Sequence, residues 1–281
     1  MKSMLFEINK KKWLTLFLVA LSATIFRLIL QAFIPSSGSN PFPPSVIVKA
    51  GLLIPSFTIY ALITYFLLAV VFVIIQGRLP GTKIKKGLMF GFLFCMMWCI
   101  YLFEPLPHVS STSLTELFAY PIVDGISLVF LGLLLGKFVA VDSQLSGKVY
   151  INLNIVPLMA IPVCFLVLRV FCYSIVHIYS SFTANPLGTM IWAVASGIWI
   201  GVLYLFLGQG IKIESPMVKS LFFGIVIFGI NLFLFNFFIT LVFESDIADI
   251  IIRTMADIIS VTIGVYIYEK VHFLMILAHS K

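Results

Sequence analysis

Five ionisable side chains sit inside runs that are otherwise almost wholly apolar: Arg27, Asp124, Arg169, Arg253 and Asp257. An unpaired charge in hydrocarbon costs on the order of 3 kcal/mol by insertion scales, so such residues face a bundle interior or a watery cavity and mark a solute or ion pathway. Arginines lining an aqueous vestibule would suit an anionic or zwitterionic solute, and an aspartate beside them could couple binding to a proton. The expected arrangement pairs Arg27 with Asp124 and Arg169 with Asp257, or crosses the pairs between the two halves of the chain. Arg253 precedes Asp257 by four residues, which puts both on one helix face and lets them meet. The position matching Arg253 in the first half is Tyr120, which cannot neutralise a carboxylate. Asp124 therefore depends more on Arg27 and is the carboxylate expected to change protonation. The candidate substrate- or ion-binding set is Arg27, Tyr120, Asp124, Arg169, Arg253 and Asp257. The competing reading of the same residues is a set of buried ion pairs that only fix how helices dock.

The matching of Arg253 to Tyr120 comes from an internal repeat. Lys86 to Lys137 lies without a gap on Lys219 to Lys270 at a shift of 133 residues. Nine of the 52 columns are identical, and they include Lys86/Lys219, Gly91/Gly224, Asp124/Asp257, Ser127/Ser260 and Lys137/Lys270. The identity level carries little in so apolar a chain, whereas an aspartate recurring in register inside an apolar run carries much. The earlier segments repeat more loosely. Arg27 answers to Arg169, and each is followed by a serine-rich stretch and Asn-Pro, at Asn40–Pro41 and Asn185–Pro186.

The elements that must hold these residues follow from composition. Of 281 residues 61% are hydrophobic and 10% charged, against about a quarter charged in a soluble domain, so most of the apolar surface must face lipid or other spanning helices. Eight apolar stretches are long enough to read as spans: Trp13–Ile34, Gly51–Ile75, Gly87–Phe103, Leu117–Phe138, Ile151–Tyr179, Leu187–Gln209, Ser220–Phe243 and Ile247–Tyr268. The runs are continuous rather than alternating, which excludes a lipid-facing barrel. The fold class expected is all-α: a polytopic membrane protein of about eight transmembrane helices in two parallel four-helix repeats, residues 1–140 and 141–281. At 1.5 Å of rise per residue, Arg27 and Asp124 fall roughly 10 Å below the outer boundary, and Arg169 and Asp257 roughly 15 Å.

Basic residues in the connections set the orientation. With the amino terminus cytoplasmic, fourteen Lys and Arg lie inside and only Lys49 outside, while Glu104, Glu116, Glu244, Asp246 and Asp249 fall in the outer connections. Both termini are then cytoplasmic and the membrane is the plasma (cell) membrane. The net charge of +7 is spread over helix ends, where anionic headgroups attract it, and forms no patch that would grip nucleic acid.

Other features read as packing. Cys95 and Cys99 lie one turn apart without further ligands at metal spacing, so neither a metal nor a cofactor is expected. Gly87 with Gly91, Gly132 with Gly136, and Gly197 with Gly201 permit close helix contact. Asn231 and Asn236 read as interhelical hydrogen-bond partners. Pro121, three residues before Asp124, is either a hinge at a cavity or an ordinary kink. His108 and His177 lie near outer helix ends, where a lone histidine is usually just hydrated. No nucleophile elbow, zinc-protease motif or phosphate loop is present, so no enzyme is expected. The function expected is a small-solute transporter or permease with a charged outward-facing site between the halves. A non-catalytic membrane subunit or immunity-type protein docking a membrane partner is the alternative, and an intramembrane lipid-modifying enzyme comes third.

Overall fold

A computed structural model describes residues 10–34, 42–107, 114–142 and 155–279. Among them every regular element is helical, and β pairing is confined to one isolated antiparallel bridge between Pro44 and Phe243. The long elements are α1 (Lys10–Gln31), α2 (Leu53–Ile75), α3 (Lys83–Leu102), α4 (Leu114–Phe138), α5 (Ala160–Val176), α6 (Pro186–Leu207), α7 (Pro216–Val242) and α8 (Ile247–His279). Seven of these, all but α5, are long and apolar enough to cross a membrane. Large apolar side chains such as Ile54, Ile59, Val167 and Ile191 are exposed on them, as lipid-facing side chains would be. Helices of this kind suit a multi-pass membrane protein.

Two elements depart from the expected spans. The fifth was expected over Ile151–Tyr179, but α5 is shorter at both ends. At its start Ile155–Leu158 forms a separate turn, and Pro162 falls in the first turn of α5, where a missing N–H costs least. At its end Cys172–Val176 widens into a π turn, closed by His177 in the left-handed region at φ 58°. At 1.5 Å per residue α5 is about 25 Å long, short of the roughly 30 Å hydrocarbon core. The last helix instead runs past Tyr268 to His279. Residues 151–154 of the expected fifth span lie outside the described residues, as do His108, Asn40 and Pro41.

Contacts divide the chain into two units. One comprises Met1–Cys99, Ser111–Val149 and Phe237–Ser245; the other comprises Ile100–Ser110, Tyr150–Asn236 and Asp246–Lys281. Each unit thus takes in the last residues of a helix, α3 or α7, that begins in the other.

Within the first unit α3 and α4 touch backbone to backbone. A Cβ on Gly87 would sit 2.1 Å from the Gly132 carbonyl oxygen, so only glycine allows this approach. Phe72, Phe90 and Phe94 pack edge to face beside that seam. Lys86 is wholly buried, and its Nζ donates to the carbonyls of Gln76 (3.0 Å) and Val141 (2.9 Å), satisfying acceptors just past the ends of α2 and α4. The end of α7 is pinned by Ser45, whose Oγ donates to the Leu241 carbonyl (2.6 Å) and whose N–H donates to that of Val242 (3.0 Å).

The second unit uses the same devices. Gly197 lets α6 approach Pro162 of α5, where a Cβ would come within 2.4 Å of the Pro162 Cα. Asn236 on α7 donates to the Thr254 hydroxyl on α8 at 2.8 Å, the interhelical bond expected of it. The Trp192 indole N–H donates to the Ile100 carbonyl at the end of α3 (2.7 Å).

Candidate functional site

The intramembrane charges form two clusters, one inside each unit, and pairing is within halves rather than crossed. In the second unit Arg169 of α5 meets Asp257 of α8 as a two-pronged fork: Nε to Oδ1 and Nη2 to Oδ2, both 2.6 Å. The Tyr101 hydroxyl adds a bond to Oδ2 at 3.2 Å. On the far edge of the guanidinium, Nη1 donates to Glu104 Oε1 (3.1 Å) and to the Tyr173 hydroxyl (3.3 Å), and the Tyr173 hydroxyl itself donates to Glu104 (3.1 Å). The Trp192 ring lies 5.0 Å from the Arg169 Cζ. The side chains of Arg169 and Asp257 are each 1% exposed.

Arg253 does not bind Asp257, contrary to the same-face expectation. Asp257 already has both oxygens occupied, so Arg253 turns the other way along α8. Its Nη1 donates to Glu104 Oε1 at 2.7 Å, and its Nη2 donates to the Tyr179 carbonyl and to Asp249 (3.3 Å). Asp249 in turn accepts the Tyr179 N–H at 2.7 Å, which ties the strand of chain after the left-handed His177 to the first turns of α8. Two cations thus face three carboxylates, Glu104, Asp249 and Asp257.

Glu104 is the residue that sequence reasoning missed. It was placed in a hydrated outer connection, yet its side chain is 5% exposed and bridges both arginines. Burial pushes its carboxyl up, but Arg253 and Arg169, helped by the Tyr173 hydroxyl, outweigh that and hold it below the usual carboxylate range. A signal existed: Glu104 stands between Phe103 and Pro105 at the end of an aromatic run, whereas Glu244 stands beside Ser245 and Asp246.

In the first unit the cluster is sparser. Arg27 of α1 donates through Nε to Asp124 Oδ1 of α4 at 2.5 Å, and through Nη1 to Gln31 Oε1 at 2.7 Å. The Phe57 ring of α2 lies 5.2 Å from its Cζ. The second prong of the fork is not made: among the described residues Arg27 Nη2 and Asp124 Oδ2 engage no partner. The Asp124 side chain is 15% exposed against 1% for Asp257. Helix α4 continues through Pro121, whose carbonyl accepts from the Cys99 thiol at 3.5 Å. Gly125 lets Cys95 of α3 approach, since a Cβ there would lie 2.7 Å from its Sγ. Tyr120 lies on the outer side of α4, 37% exposed, one turn before Asp124.

The two clusters share a plan. In each, Nε donates to the aspartate Oδ1, Nη1 bonds the side chain four residues on (Gln31 or Tyr173), and the guanidinium lies near an aromatic ring of the next long helix (Phe57 or Trp192). Comparison with protein-family models, curated proteins and solved structures gives no match. The function therefore rests on what the clusters can do chemically.

Proposed function

We propose that this multi-pass membrane protein is a small-solute transporter of the plasma membrane, without enzymatic activity, whose solute site is built on Arg27, Gln31 and Asp124. The observation that carries the reading is the unfinished fork between Arg27 and Asp124. Buried charges ordinarily have their hydrogen-bonding capacity filled. A guanidinium and a carboxylate that keep one donor nitrogen and one acceptor oxygen open among the described residues, while the equivalent pair in the same chain is filled, suit a ligand that comes and goes. The excess of basic residues in alternate connections supports cytoplasmic termini and outward placement of the clusters.

Parallel repeats, the second part of the proposal, are supported by contacts that recur at the 133-residue shift. A Cβ on Gly91 would lie 3.1 Å from the Val129 Cα, and one on Gly224 would lie 3.2 Å from the Thr262 Cα. The Lys86 N–H donates to the Thr82 carbonyl and the Lys219 N–H to the Ser215 carbonyl, again the same columns. Even the segments that join the opposite unit correspond, because residues 100–110 shifted by 133 overlap Phe237–Ser245. A fused pair of like-oriented bundles is a known transporter plan.

The filled Arg169–Asp257 cluster favours a second role for that half, as a docking lock that binds no solute. Proteoliposome uptake of a panel of labelled carboxylates, amines and amino acids tests the whole. The proposal expects uptake that Asp124→Asn abolishes at unchanged protein level. A protein that takes up nothing, while Asp124→Asn chiefly lowers its thermal stability, would mark both clusters as docking elements.

A further inference from the structure

We infer that the site takes a small zwitterion, a solute presenting a carboxylate and an ammonium group together. This inference rests on the transporter reading and names the substrate class of the same site. In the Arg169–Asp257 fork, Nε with Nη2 forms the edge that faces the carboxylate, and both oxygens are used. In the Arg27–Asp124 pair only Nε and Oδ1 are joined, so among the described residues Nη2, on the same edge of the guanidinium, and Oδ2, on the same carboxylate, are left without partners. One is a cationic donor and the other an anionic acceptor. A ligand carboxylate fits Nη2, and a ligand ammonium fits Oδ2.

Charge balance then excludes simpler solutes. The pair is neutral as it stands. A lone anion drawn to Arg27 leaves the nearby Asp124 carboxylate facing a second negative charge in a poorly hydrated setting. A lone amine drawn to Asp124 does the same to Arg27 with the opposite sign. A zwitterion adds no net charge and fills both open positions. Gln31, already holding Nη1, keeps the guanidinium plane oriented so that the open edge stays presented. Phe57 covers one face of that plane and restricts access to the edge.

The test uses the purified full-length chain and ligand-induced thermal stabilisation, with isothermal titration for affinity. The probes are glycine, alanine and β-alanine as zwitterions, acetate and propionate as anions, and ethylamine as the cation. At least one zwitterion is expected to bind saturably, with acetate and ethylamine about ten- to hundredfold weaker, the equivalent of one charge-assisted hydrogen bond. Asp124→Asn should weaken the zwitterion by a similar factor and narrow its advantage over acetate. Asp257→Asn, assayed at a temperature where it is folded, should leave the ratio unchanged. Acetate or propionate binding as tightly as the best zwitterion would overturn the inference and leave the transport reading standing. So would uptake of a labelled solute while none of the three zwitterions binds. Failure of every probe to bind, together with no uptake of any solute, would sink the transporter reading itself.

Discussion

The clearest contrast between the two clusters is energetic, and two single-atom changes expose it. Asp257→Asn preserves volume but removes a carboxylate that is 1% exposed and accepts two bonds of 2.6 Å from Arg169 and one from Tyr101. Breaking a buried pair in this way costs about 3–5 kcal/mol, because the surviving charge is left without its partner. Glu104 stays 3.1 Å from Arg169 and offsets part of the loss, but it is shared with Arg253, so about 3 kcal/mol is expected. Asp124→Asn removes a carboxylate that is 15% exposed and receives one bond from Arg27, so about 1 kcal/mol is expected there. At roughly 2–4 °C per kcal/mol, the first variant should melt about 6–12 °C below the parent protein and the second about 2–4 °C below. Thermal unfolding followed by tryptophan fluorescence suits the measurement, since Trp192 lies 5.0 Å from the Arg169 guanidinium and reports on the cluster directly. Equal losses in the two variants, or a larger loss in Asp124→Asn, would refute the division into a lock and an open site.

Three further outcomes follow from the same contacts. Glu104 is held below its ordinary range in the fold, so the stability it contributes is complete above the unfolded carboxylate value of about 4.3 and is lost as pH falls through its folded value. Glu104→Gln should therefore lower the melting temperature at pH 7 and flatten the acid limb of the stability profile; an unchanged acid limb would count against the bridge. Gly87→Val should force α3 from α4, because even a Cβ would lie 2.1 Å from a backbone oxygen, with a loss of about 1–3 kcal/mol readable as reduced folded yield in detergent. Ser45→Ala removes the bond to the Leu241 carbonyl and should cost about 1 kcal/mol, seen as faster proteolysis or hydrogen exchange at residues 237–245.

Much of this was legible in the sequence because charge inside apolar runs has few solutions. The pairs Arg27–Asp124 and Arg169–Asp257 follow from the cost of burying either partner alone, and the glycine spacing on α3 and α4 follows from close packing. What failed to read across was direction. Four-residue spacing puts Arg253 within reach of both Asp249 and Asp257, and helical periodicity alone cannot choose between them. The choice depends on Arg169 having filled Asp257 first, which is a tertiary fact. Glu104 failed for a related reason: hydropathy places a carboxylate outside the apolar run, but not whether the chain then folds back over it. The shortened α5 shows the limit of length counting, since His177 ends the helix by adopting a left-handed conformation, which a count of apolar residues does not register.

The 133-residue shift also shows how the surroundings of the two pairs differ. Arg253 answers to Tyr120, and Glu104 answers to Phe237. Glu104, which binds Nη1 of Arg169, and Arg253, which binds Glu104, are thus replaced in the first unit by uncharged aromatics. Tyr173, which links Arg169 to Glu104, answers to Gln31 through the looser Arg27/Arg169 correspondence, at a shift of 142 residues, and Gln31 holds Arg27. These differences remove one cation, one anion and their connector together, so the loss of that bridge changes no net charge. Loss of either charge alone would have left the arginine or the aspartate with an imbalance of several kcal/mol. Their joint absence leaves the first pair without a counterpart of the bridge that Glu104 makes from the Nη1 edge of Arg169 to Arg253. Adding both charges, Tyr120→Arg with Phe237→Glu, should therefore raise thermal stability while leaving Nη2 of Arg27 and Oδ2 of Asp124, and with them solute binding, in place. A double variant that is stabilised yet no longer binds would place the solute on the Nη1 side of Arg27 instead.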